Sequence, residues 1–165
     1  MLTPETFELP GPDEEESAGA VGGAAVFRVP VAMMRQVIDH LASALPSEGC
    51  GLLAVLDGGN CAGEAVKFYP GTNADRSSIR YTMDPAEVLA AFKEMRANGQ
   101  SLGAIVHSHP VSDAIPSPTD LREAFYPHAL MLIVSFAGTS PAVRAWRVSG
   151  EEGDQQVIEC LLVID

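Results

Sequence analysis

The apolar run Leu102–His107 leads straight into His107-Ser108-His109-Pro110, and Ser117 follows His109 after seven intervening residues, with Asp120 three further on. In an extended strand, residues two apart project from one face, so the two imidazoles point the same way and Ser108 points away. Two imidazoles and a carboxylate can supply three corners of a tetrahedral metal site, and a fourth corner left to water makes such a site catalytic rather than structural. The fold is thereby constrained: a strand end and the segment beginning at Ser117 must meet. Ser117-Pro118-Thr119-Asp120 is also an ordinary helix start, with Ser117 as N-cap and Asp120 capping in return. Taken alone, the helix start is the plainer reading of this segment; together with His107 and His109, and a loop short enough to bring them close, the site reading is favoured.

The rest of the chain supplies a scaffold for this pair. At 165 residues and 47% hydrophobic content it fits one packed domain. Val26 and its neighbours over Ala25–Val29 read as a strand. Met34, Val37, Ile38, Leu41 and Leu45 mark an amphipathic helix that Pro46 closes. His40 lies off that apolar stripe and reads as a solvated surface histidine. Cys50–Leu56 is a buried strand ended by the turn Asp57-Gly58-Gly59-Asn60, with Glu64–Tyr69 as its hairpin partner. Arg80–Met83 reads as a further short strand. Asp84-Pro85-Ala86-Glu87 opens a second helix that Asn98-Gly99 ends. A short helix from Ser117, ended by Pro127, and three strands over Leu130–Phe136, Ala142–Val148 and Gln156–Ile164 complete the order. That order predicts an α+β fold, a mixed β-sheet packed against helices in a sandwich-like arrangement.

Residues 1–23 hold six acids and no Lys or Arg, half of the net charge of −12, and read as an acidic disordered tail ahead of a domain over 24–165. An acidic body disfavours a nucleic-acid partner. Cys50, Cys61 and Cys160 match no zinc-knuckle spacing and read as buried or reduced thiols. No apolar run reaches the roughly 18 residues that span a bilayer, and the N-terminus lacks a signal-peptide pattern. A cytoplasmic protein without a membrane partner is expected.

Water attack at a metal also calls for a base. Glu48 is the candidate, at the mouth of the Cys50–Leu56 strand; an exposed loop glutamate is the plain alternative. Taken together, Pro46-Ser47-Glu48-Gly49-Cys50-Gly51-Leu52-Leu53, His107-Ser108-His109-Pro110 and Ser117-Pro118-Thr119-Asp120 resemble the JAMM (MPN+) family of zinc metalloproteases. The segments Tyr69–Asn73 and Arg80–Pro85 look like those of its short stand-alone prokaryotic members. The resemblance covers roughly Ala24 to Ile164 and leaves the acidic tail unexplained. It implies the cytidine-deaminase-like MPN fold, Zn²⁺ on His107, His109 and Asp120, Glu48 as general base and Ser117 as oxyanion donor. It also implies a substrate in which a ubiquitin-like or sulfur-carrier protein is joined through its C-terminal glycine to an amine; one branch of the family removes cysteine from such a carrier. The rival is a non-catalytic zinc-bearing module that binds a ubiquitin-like partner, for which neither Glu48 nor Ser117 is needed. A closed structural site would need a fourth protein ligand, and none is found: Cys50 is the only donor near Glu48, and an apolar strand thiol explains it better.

Overall fold

A computed structural model describes residues 25–56 and 62–165. The acidic stretch 1–23 and the turn Asp57-Gly58-Gly59-Asn60 lie outside the described residues. The elements in chain order are β1 (Val26–Val29), α1 (Val31–Ser43), β2 (Cys50–Val55), β3 (Gly63–Gly71), α2 (Pro85–Ala97), β4 (Ser101–His109), α3 (Pro118–Arg122), β5 (Leu130–Ser135), β6 (Ala142–Ser149) and β7 (Gln156–Ile164).

The expected mixture of strands and helices is present, with parallel and antiparallel pairs in one sheet, but the sheet does not lie flat as the layer of a sandwich. It closes into a barrel in the order β1-β3-β2-β4-β5-β6-β7. β1 makes the closure, pairing in parallel with β3 on one side and with β7 on the other. Register shifts on β2, at Leu53/Ala54 against β4 and at Ala54/Val55 against β3, supply the local bending that closure needs. Closure depends on the pairing of β1 with β7, between residues more than a hundred positions apart, which local periodicity does not encode.

Alternation sorts the faces. Leu53 and Val55 of β2, with Ala104 and Val106 of β4, point inward to a core that also takes Phe27, Val29, Leu132 and Val134, and α1 covers it with Met34, Val37 and Leu41. Leu52, Ala54 and Ile105 point outward and are covered by Ala91 and Met95 of α2. Both faces of β2 are therefore buried, which is why Cys50–Leu56 reads as an unbroken apolar run. α2 has the start read from sequence, with the Asp84 side chain accepting from the Ala86 and Glu87 amides, and Gly99 ends it at a φ of 63°.

Arg80–Met83 forms no strand; the contact is a single bridge between Asn73 and Met83. The Asn73 side chain takes the groups a ladder would have used, accepting from Thr82 N and donating to the Arg80 carbonyl. α3 ends at Arg122 rather than near Pro127, and the Gln155 amide donates to the Leu121 carbonyl at its C-terminus. Cys50 is free and buried; Cys160 is also buried but disulfide-bonded, against the expectation of reduced thiols. No helix among the described residues is long and apolar enough to cross a membrane.

Candidate metal centre

β4 runs between β2, antiparallel, and β5, parallel. The register pairs His107 with Cys50, and Ser108 and Gly49 bond in both directions: Ser108 N donates to the Gly49 carbonyl at 3.1 Å, and Gly49 N donates to Ser108 Oγ at 2.8 Å. That register sets Glu48 across from His109, on the face that carries both imidazoles. Gly49 is obligatory here, since a Cβ would stand 2.9 Å from the Leu41 Cα of α1. The crossover from β4 to β5 returns past the same strand end and delivers α3. Glu48, His107, His109 and Asp120 come together there, all buried.

His107 Nε2 lies 3.2 Å from His109 Nε2 and 3.2 Å from Asp120 Oδ1, and His109 Nε2 lies 3.1 Å from Asp120 Oδ2. Ligands about 2.0–2.1 Å from a tetrahedral metal stand roughly 3.3 Å apart. The triangle has that size. His109 Nδ1 donates to the Asp113 carbonyl at 2.7 Å, which leaves the Nε2 lone pair for the centre. Burial opposes ionisation of Asp120, but hydrogen bonds from His107 and His109 outweigh it and hold the carboxyl well below the usual range. A nitrogen–nitrogen–carboxylate group buried with its lone pairs converging is a donor set suited to a cation.

Glu48 is 4% exposed, and its Oε2 has no hydrogen-bond partner. Burial, reinforced by the charge of Asp120 and eased by His109, pushes its pKa up to about 7. The alternative of an exposed loop glutamate fails. Its backbone is pinned from two sides, by Glu48 N donating to the Ser77 carbonyl and by the Asn73 amide donating to the Glu48 carbonyl at 3.0 Å.

Ser117 carries the full capping box. Its Oγ accepts from Asp120 N at 3.1 Å, and its own N–H donates to Asp120 Oδ2 at 2.7 Å. The cap uses a lone pair of the hydroxyl and leaves the proton available, so capping and donation do not compete.

His40 departs from its expected solvated place. It is half-buried, and its Nε2 lies 3.1 Å from the Cys50 carbonyl and 3.0 Å from the Gly71 carbonyl, a donor that ties α1 to β2 and β3. Sequence reading missed this, together with Asn73, Asp113 and Tyr81. Asn73 and Tyr81 sit in segments that carried the family likeness without any role attached; Asp113 contributes only its backbone, which no residue pattern reveals.

Residues 30–149 match the family described as prokaryotic homologs of the JAB domain. The chain belongs to that family. Among its relatives, a probable TtuB-protein conjugate cleaving protease of Thermus thermophilus is 37% identical over 64% of this chain and 70% of its own length. A CysO-cysteine peptidase of Mycobacterium tuberculosis is 32% identical over 62% and 68%, and a desampylase of Haloferax volcanii 34% identical over 59% and 68%. The solution structure of protein DSY2949 from Desulfitobacterium hafniense superposes with a TM-score of 0.74 at 33% identity, covering 85% of this JAB-domain chain and 93% of that one. The first three relatives are named as a conjugate-cleaving protease, a peptidase and a desampylase, in keeping with a hydrolase.

Proposed function

We propose that this JAB-domain chain is a zinc-dependent peptidase or isopeptidase. Its substrate is the amide that joins the C-terminal glycine of a ubiquitin-like or sulfur-carrier protein to an amine, cysteine included. The observation that carries this reading is the buried, unpartnered carboxylate of Glu48 beside the His107–His109–Asp120 triangle. A stapled structural site or a binding module has no use for such a group, which costs stability where it stands. The activities named for the relatives support the substrate class.

His107, His109 and Asp120 would hold the zinc, with the Asp113 carbonyl fixing the His109 tautomer. Zinc held there would supply Lewis acidity and lower the pKa of water enough to make hydroxide available near neutral pH. Glu48 accepts the proton as the C–O bond forms, then hands it to the departing nitrogen as the C–N bond breaks. The products are a carrier ending in a glycine carboxylate and a free amine. Ser117 donates a hydrogen bond from its hydroxyl to the oxygen that gains charge in between.

Zinc-loaded protein incubated with a carrier bearing a C-terminal glycine–cysteine amide should release cysteine, seen as the corresponding drop in intact mass. A conjugate left whole, across ubiquitin-like and sulfur-carrier substrates alike, would contradict the reading. The same assay carries a pH expectation. Protonated Glu48 cannot act as base, so kcat/KM should fall as pH drops through an apparent pKa at or below about 7, since a nearby cation favours the carboxylate. Activity unchanged from pH 8 down to well below 5 would place the base elsewhere.

A further inference from the structure

His107 and His109 are oriented by different means. The His109 ring is fixed by its Nδ1 donating to the Asp113 carbonyl. His107 is fully buried, yet its Nδ1 has no partner. A ligating imidazole is ordinarily aimed by the hydrogen bond of its other nitrogen, and here that device is missing on one of the two rings. What His107 has instead is Tyr81, whose ring stacks on it with centroids 4.7 Å apart and planes 22° from parallel.

We propose that Tyr81 is a positioning residue for His107, a flat aromatic wall that replaces the missing hydrogen bond and aims Nε2 at the metal. The inference rests on the zinc site proposed above. Tyr81 is itself well anchored. The peptide groups on both sides of it, the Arg80 carbonyl and the Thr82 amide, bond to the side chain of Asn73, whose amide also donates to the Glu48 carbonyl. One buried asparagine thus holds the stacking ring and the backbone of the base in fixed relation. Tyr81 also lines a cleft of about 380 Å³ with Met83, Val88, Phe92, Phe125 and Tyr126, so it separates His107 from that open space.

If stacking does the aiming, a ring is required and a hydroxyl is not. Zinc affinity, measured by competition with a chromogenic chelator, should stay within about twofold of wild type in Tyr81→Phe. It should weaken by about 10–100-fold in Tyr81→Met, which keeps bulk but offers no flat face. The Co²⁺-substituted protein gives a second readout: its visible d–d bands should match wild type in Tyr81→Phe and shift or broaden in Tyr81→Met. Should Tyr81→Met not fold, Tyr81→Leu replaces it, and both are compared only after matching wild type by circular dichroism. Equal zinc affinity and identical cobalt spectra across all the variants would overturn the inference. Loss in Tyr81→Phe as large as in Tyr81→Met would also overturn it, by assigning the effect to the hydroxyl. A wild type that holds no zinc would overturn the reading of the site itself, a result distinguishable from both.

Discussion

Glu48→Gln is expected to lower kcat by about 10²–10⁴ while the protein keeps its fold and its metal. Gln has the size and shape of Glu but cannot take a proton from water at neutral pH. The same substitution should stabilise the metal-free protein, and the sign follows from the carboxyl's environment. Its folded-state pKa is raised from 4.5 to about 7, so the stability it contributes is fully present below about 4.5 and is lost as pH rises through 7. Gln escapes that loss. Metal-free Glu48→Gln should therefore melt above wild type at pH 8, by a few degrees, with the gap narrowing toward pH 5. A group that costs stability and supports turnover is what a reactive site displays. Residual activity above about a tenth of wild type, with metal retained, would move the base to another residue.

Ser117→Ala and Ser117→Asp form the second pair with a large expected effect. Ser117 Oγ accepts from Asp120 N, and removing that acceptor costs ~0.5–2 kcal/mol of stability. The cap and the free hydroxyl proton are separate properties of one group, so the two variants divide them. Ser117→Ala loses both. Ser117→Asp retains a good capping acceptor but brings a negative charge toward the developing oxyanion. Both should fold, bind metal and show kcat reduced by about 10²-fold or more with little change in KM, because the donor acts on charge that develops only during reaction. Near-normal kcat in Ser117→Asp would make the hydroxyl a helix cap alone.

The parts of the centre that sequence made legible are those whose geometry is local. Residues two apart on a strand must share a face, so His107 and His109 could be placed together before any fold was known. Ser-Pro-x-Asp declares its own capping box, and α2 has the ends that Asp, Pro and Gly signals imply. From the residues alone Glu48 stood as a candidate base against an exposed loop glutamate, because what sets it opposite His109 is the pairing of Cys50 with His107, 57 positions further along the chain. Closure of the sheet by β1 was not legible, since a four-residue strand carries no mark of which edges it will join. His40 was misread because its apolar neighbours define the helix stripe without showing that carbonyls of β2 and β3 end within reach of its ring. Asn73 and Tyr81 act through backbone contacts and stacking, which leave no spacing rule in a single chain.

The expected losses of turnover depend on His107, His109 and Asp120 being a metal centre, and metal analysis of the purified protein tests that directly. Wild type should carry about one zinc per chain, and His107→Ala combined with His109→Ala should carry none, since a lone carboxylate cannot hold the ion. Stoichiometric zinc in the folded double variant would contradict the account.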